Sequence, residues 1–157
     1  MRRRTYLVVL TALLTLPETI VAHAQQDNTF PKLPAGAGQI DADAPKAFAP
    51  TASGLKYRVL RKGTGDMPKA TSTVKVNYHG WLDDGKVFDS SYDRREPIEF
   101  PLNGVIPGWT EGMQLVAPGG MIELEIPAKL GYGSRGVPGV IPPGATLHFL
   151  VELLEVK

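Results

Sequence analysis

Hydroxyls, carboxylates and aromatic rings carry what chemistry this sequence offers. None of its 157 residues is a cysteine, which excludes a thiol nucleophile, disulfides and sulfur-ligated metal sites. His79 and His148 are far apart in the chain and lack ligand-type neighbours. Both read as ordinary strand histidines, so neither a metal nor a cofactor is assigned. There remain carboxylates, phenols and aromatic rings, among them Asp89 in front of two serines, Tyr78 and Tyr132, and Phe88, Trp109 and Phe149. Each has a plainer reading on its own: rings are usually core, tyrosines are usually structural donors, and an aspartate before serines often organises a turn. The stretch GVPGVIPPGATLHF, Gly136 to Phe149, is more pointed, because it places three prolines and three glycines directly before an apolar strand. An ordinary long loop would use such turn formers. Alternatively, Val140 and Ile141, fixed between Gly139 and Pro142, are displayed rigidly beside a pocket.

These residues must be positioned by strands. Leu55, Tyr57 and Val59 alternate with Lys56 and Arg58, and Val74, Val76 and Tyr78 alternate with Lys75, Asn77 and His79. The same period of two recurs in Ile122–Leu124–Ile126 and in Leu147–Phe149–Val151–Leu153, with short strands expected at residues 87–90 and around Ile98 to Phe100. Such alternation marks half-buried antiparallel strands with one wet face. Trp81 reads as a strand-surface or edge residue, and Arg94 to Glu96 as a solvated loop. One helix is expected, its apolar positions Trp109, Met113 and Val116 spaced by four and three, bounded by Pro107–Gly108 and by Ala117–Gly120. The fold class is therefore α+β: an antiparallel sheet of about five strands wrapped around one short helix, spanning residues 52–157.

The chain ahead of that domain divides in two. Arg2, Arg3 and Arg4 precede an apolar run from Tyr6 to Pro17, and small residues at Ala22 and Ala24 suit a signal peptidase. The run is too short for a permanent membrane span. Residues 1–24 are thus read as a signal peptide, and the protein as exported, either periplasmic or secreted. No lipid-anchor cysteine follows, so no membrane anchor is expected. Residues 25–51, rich in Ala, Pro and Gly and without periodicity, read as a flexible, dispensable leader with no dimerisation arm, and the protein as a monomer. Removing residues 1–24 takes away three arginines and one glutamate, leaving 14 basic and 15 acidic residues and a net charge of −1. That balance gives no electrostatic reason to expect nucleic-acid binding.

Three stretches taken together resemble successive signatures of the FKBP-type peptidyl-prolyl cis-trans isomerases: VNYHGWLDDGKVFDSSYDRREPIEF, LNGVIPGWTEGMQLV and YGSRGVPGVIPPGATLHFLVELLEV. The resemblance covers about Ser53 to Lys157. It implies a half-barrel sheet curved around the helix, an apolar pocket between them, and acceleration of rotation about X–Pro bonds. Carried over residue by residue, substrate binding falls to Tyr78, Phe88, Ile98, Val105, Ile106, Trp109, Val140 and Ile141, and catalysis to Asp89, Tyr132 and Phe149. Trp109 would be the floor, Phe88 and Phe149 the walls, Tyr132 a hydroxyl at the rim, and the Ile106 amide a donor to the carbonyl before or after the proline. Asp89 would be linked to Tyr78 and Arg94. The Pro- and Gly-rich loop becomes a rigid lip over the pocket.

The resemblance implies proline-containing polypeptide clients as partners and macrolide, rapamycin-like inhibitors as further ligands. The sequence departs from the best-known form of the family at Ile98, where an aromatic wall is common, and in a shorter segment between Phe100 and Trp109. Two functions share this groove: an isomerase of exported clients, or a chaperone that holds proline-containing segments without catalysis. The complete set of pocket residues favours the enzyme.

Overall fold

The computed structural model describes residues 29–157. The expected signal peptide, residues 1–24, lies outside the described residues. Among the described residues seven strands, all paired antiparallel, form one open sheet: β1 (Ala49–Pro50), β2 (Lys56–Arg61), β3 (Thr73–Leu82), β4 (Val87–Ser90), β5 (Ile98–Pro101), β6 (Met121–Ile126) and β7 (Leu147–Val156). Their order is β1-β2-β6-β7-β3-β4, with β5 pairing the other half of β3. The sheet exceeds the expected five strands because β1 has only two residues, and because β4 and β5 share β3 end to end.

Strand parity sets the two faces. Val74, Val76, Tyr78 and Leu82 of β3 and Leu147, Phe149, Val151 and Leu153 of β7 are buried on the inner face. Against it packs helix α2 (Pro107–Gly112), continued by a 3-10 turn at Met113–Leu115. The helix approaches closely because Gly108 and Gly112, one turn apart, face Ile126 and Leu124. A Cβ at either glycine would come within 2.5 and 2.7 Å of those side chains. A second, single-turn helix, α1 (Ser91–Arg94), starts at Ser90, whose hydroxyl caps the Asp93 amide, and ends at Arg95 with φ of 55°. The loop expected at Arg94 therefore begins as a helical turn.

The outer face departs further from expectation. Residues 29–50, expected to be a flexible leader, lie as a strap along it. Phe30, Leu33 and Ile40 pack with Trp81 on Leu60, Met121 and Leu150, all three of which are fully buried. Arg58, placed by alternation on a wet face, is 2% exposed. It pairs with buried Glu123 at 2.6 Å, donates to the carbonyls of Lys46 and Thr29, and sits under the rings of Phe30 and Phe48. Removing charges from water is costly unless they are paired and hydrogen-bonded, and the strap supplies those extra acceptors. No helix among the described residues is long and apolar enough to cross a membrane.

Candidate active site

Between the inner face of the sheet and α2 lies a cavity of about 640 Å³. All eleven site residues expected from the sequence line it. Its floor is Trp109, at the start of α2. Pro107 in the first turn presets the helical φ, and the Ile106 carbonyl receives the amides of Trp109 and Thr110 at 2.9 and 3.2 Å. Buried to 5% exposure, the indole takes three rings edge-on: Tyr78 at 5.5 Å, Phe149 at 5.1 Å and Phe100 at 5.3 Å. Phe88 in turn meets Phe149 at 5.4 Å and 86°. Such edge-to-face pairs contribute ~0.5–1.5 kcal/mol each beyond area burial, so the apolar walls are mutually braced before anything binds.

The polar wall depends on an irregularity in β4. Pairing with β3 shifts between Gly80↔Asp89 and Trp81↔Val87, leaving Phe88 as an extra residue. In a regular strand Phe88 and Asp89 would point to opposite faces. The bulge re-aims one of them, and both line the cavity. The Asp89 carboxylate accepts from the Tyr78 hydroxyl and from Arg94 of α1. Arg94 Nη2 also donates to Tyr78 Oη at 2.8 Å, and its guanidinium lies 5.7 Å from the Tyr78 ring centre. Partial burial would raise the Asp89 pKa, but the Tyr78 hydroxyl and the Arg94 guanidinium outweigh it and hold the carboxyl below its ordinary value. Burial, reinforced by Asp89, pushes the Tyr78 phenol up. At neutral pH the wall is thus a neutral phenol hydrogen-bonded to a carboxylate.

The rim is the Pro- and Gly-rich loop. Val137 and Ile141 exchange both backbone hydrogen bonds at 2.8 Å, and the Gly144 amide donates to the Gly133 carbonyl at 2.9 Å. Gly139, with φ of 76°, supplies the left-handed residue at the tip. The result is a pinned lip that holds Ile141 in the cavity wall while Val140 and Tyr132 remain 42% exposed at the mouth. Among the described residues, no acceptor is paired with the backbone amide of Ile106. The arrangement offers an apolar slot, one open amide donor, a rim hydroxyl and a fixed carboxylate, which suits binding and twisting an apolar peptide group.

Sequence reasoning missed Phe100, Gly104 and Val137 as lining residues. Phe100 was within reach, since it shares a face of β5 with Ile98 and supplies an aromatic wall that Ile98 does not. His79 and His148 instead flank Trp81 on the outer face, 5.8 and 5.7 Å away, and line a separate groove of about 1080 Å³ beneath the strap. Trp81 is therefore packed against the strap rather than left at a bare surface.

Residues 65–154 match the family described as FKBP-type peptidyl-prolyl cis-trans isomerase. The FKBP-type peptidyl-prolyl cis-trans isomerase FkpA of Escherichia coli (strain K12) is 55% identical over 112 residues, covering 71% of this chain and 41% of that protein. The peptidyl-prolyl cis-trans isomerase Mip of Coxiella burnetii is 48% identical over 106 residues, covering 68% of this chain and 46% of its own. This chain spans about half, or less, of the length of these curated relatives. Among solved structures, FkpA from Escherichia coli superposes with a TM-score of 0.68 at 55% identity, covering 70% of this chain and 51% of that one. AtFKBP13 superposes with a TM-score of 0.65 at 34% identity, covering 71% of this chain and 99% of that one.

Proposed function

Because this chain belongs to the FKBP-type peptidyl-prolyl cis-trans isomerase family, we propose that it accelerates cis-trans rotation about X–Pro bonds of exported polypeptides, assisting their folding, and does so as a monomer. The observation that carries this reading is the single cavity in which an aromatic floor, an open backbone amide and a carboxylate–phenol wall converge.

The peptide bond resists rotation by ~18–20 kcal/mol through amide resonance, and the X–Pro bond is the one with an appreciable cis population and slow exchange. Halfway through the rotation, conjugation is lost and the carbonyl is less polar than in the planar amide. The planar form is solvated better by water than by a slot walled with Trp109, Phe88 and Phe149, whereas the twisted form loses less on entering it. The cavity therefore favours the twisted geometry without a covalent step. Ile106 donates its amide to a carbonyl flanking the proline, while Asp89 and the Tyr132 hydroxyl act on the twisting amide. Lowering the barrier by ~5 kcal/mol gives between three and four powers of ten in rate, within reach of orientation, desolvation and one or two hydrogen bonds. Rapamycin-like macrolides would occupy the same slot, with Phe100 supplying the aromatic wall that Ile98 does not.

A protease-coupled or solvent-jump assay on a Leu–Pro peptide tests the activity, with peptide affinity measured on the same preparation. Faster isomerisation than in buffer is expected. Binding without acceleration would replace the enzyme by a proline-segment chaperone.

A further inference from the structure

Arg94, which grips Asp89 and Tyr78 in the pocket wall, sits on a helix of only four residues. One turn has almost no intrinsic stability, because nucleation is unfavourable and propagation has not begun. Its orientation must come from side chains. Ser91 is fully buried, accepting the Tyr78 amide at 2.9 Å and donating to Asn77 Oδ1 at 3.0 Å. Tyr92, 8% exposed, reaches to the outer face and donates to Glu152 Oε1 at 2.6 Å. Glu152, on β7 and 6% exposed, accepts two further donors: Arg61 Nη2 of β2 on Oε2 at 2.6 Å, and the Gly38 amide of the strap on Oε1 at 2.9 Å. One buried carboxylate thus joins α1, β2 and the strap.

None of the three partners of Glu152 lines the cavity. A buried glutamate is costly to keep, and an apolar residue would pack here without needing three donors. What the glutamate adds is direction: it fixes the phenol of Tyr92, two residues before Arg94, from behind. We propose that Glu152 is a positioning residue for the pocket wall, acting through Tyr92 to hold α1, and so Arg94, against Asp89 and Tyr78, with the strap's Gly38 as the third tie. Its importance for turnover rests on the isomerase reading above; its effect on Asp89 does not.

The groups facing Asp89 are Tyr78 from β3 and Arg94 from α1, with Tyr132 in the same cavity. Asp93, on the same turn, acts on His79. Glu152 is faced by Tyr92 and Arg61. Loosening α1 should therefore weaken the hold on Asp89 without removing any group from the pocket. The experiment follows the Asp89 side-chain carboxyl by carbon-13 NMR through an acid titration in the full chain, beside kcat/KM and peptide Kd. Tyr92→Phe keeps the ring and loses one hydrogen bond, while Glu152→Gln keeps the shape and loses the charge. In both, the Asp89 midpoint should move up towards that of a free aspartate. kcat/KM should fall about five- to tenfold, the effect of losing one good hydrogen bond, with peptide Kd little changed. Leu150→Val, which thins the same outer face without touching Tyr92, should lower the melting temperature and leave the Asp89 midpoint in place. If Tyr92→Phe and Glu152→Gln lower only the melting temperature, with midpoint and kcat/KM as in the wild type, Glu152 is structural alone and the proposal fails. If the wild type accelerates no X–Pro rotation, the functional reading falls, and the Asp89 midpoint still decides the positioning.

Discussion

Adding one methyl group at Gly80 should close the pocket from behind. Gly80 lies in β3 opposite Phe149 of β7 and Asp89 of β4. A Cβ there would stand 2.7 and 2.8 Å from two ring carbons of Phe88, and 2.8 Å from one of Phe149. Carbon atoms rest at ~3.5–4.0 Å, so both rings must retreat by about 0.7–1.3 Å. They cannot retreat independently, since Phe88 meets Phe149 edge-on and Phe149 meets Trp109 edge-on. Overpacking of this kind costs ~1–3 kcal/mol. Gly80 has no positive φ, so alanine fits its backbone and returns ~0.5–1 kcal/mol through the unfolded state. The expected net loss for Gly80→Ala is about 0.5–2 kcal/mol of stability. A similar loss of transition-state binding is about a two- to thirtyfold fall in kcat/KM. Urea unfolding and a peptide isomerisation assay read the two quantities. The double variant Gly80→Ala/Phe88→Leu, which clears the nearest ring, should regain stability relative to Gly80→Ala. Wild-type stability and activity in Gly80→Ala would refute the claim that these rings are braced against one another.

Within the pocket, Phe149→Ala should lower stability by ~3–5 kcal/mol and weaken peptide binding and turnover together, whereas Asp89→Ala and Tyr132→Phe should lower kcat/KM with fold and peptide affinity retained; unimpaired turnover in these last two would overturn the roles given to them. Asp89 and Glu152 both have folded pKa values held below the ordinary carboxylate value, so their contribution is complete above ~4 and is lost as pH falls through the lower folded values. The urea midpoint should therefore decline on acidification below about pH 4, although Glu123, whose pKa burial raises, opposes the trend; a midpoint that climbs there would contradict the assignment. Arg58→Ala leaves Glu123 buried without its partner and should cost ~3–5 kcal/mol, and deletion of residues 25–49 should lower the melting temperature; a deletion without thermal effect would return the strap to the status of a passive leader. Mass spectrometry of the protein isolated from its own host should find the chain starting near Gln25, and a retained Met1–Ala24 segment would refute export by signal cleavage.

The inner half of the fold was legible because a strand's face is decided by parity, and the residues at alternate positions of β3 and β7 carry both the core and the pocket wall. Trp109 was legible from its spacing to Met113 and Val116. What failed was everything whose order is borrowed from another surface. Phe30, Leu33 and Ile40 have no period of their own, and only the finished sheet gives them something to cover. For the same reason Arg58 and Glu123, polar members of alternating strands, read as solvated although the strap buries them. α1 is too short to leave a pattern. The Phe88 bulge is a fact of pairing between two strands, so that Phe88 and Asp89 share a cavity could come only from the family resemblance and not from strand parity.

The strap also settles how the sheet ends. β2 would otherwise present a six-residue edge of open amides and carbonyls, a template on which other chains can add strands. Instead, Ala49 and Pro50 pair only its start, the Asp41 amide covers the Leu60 carbonyl at 2.8 Å, and the Asp41 carboxylate accepts the Lys62 amide at 2.8 Å. Pro50 has no amide with which to extend the ladder outward. A form of this protein cut just before β2 would keep every residue that lines the pocket. Its distinguishing symptom would be colloidal: edge-to-edge clustering that rises with concentration, over and above any turnover lost with the Gly38 tie to Glu152.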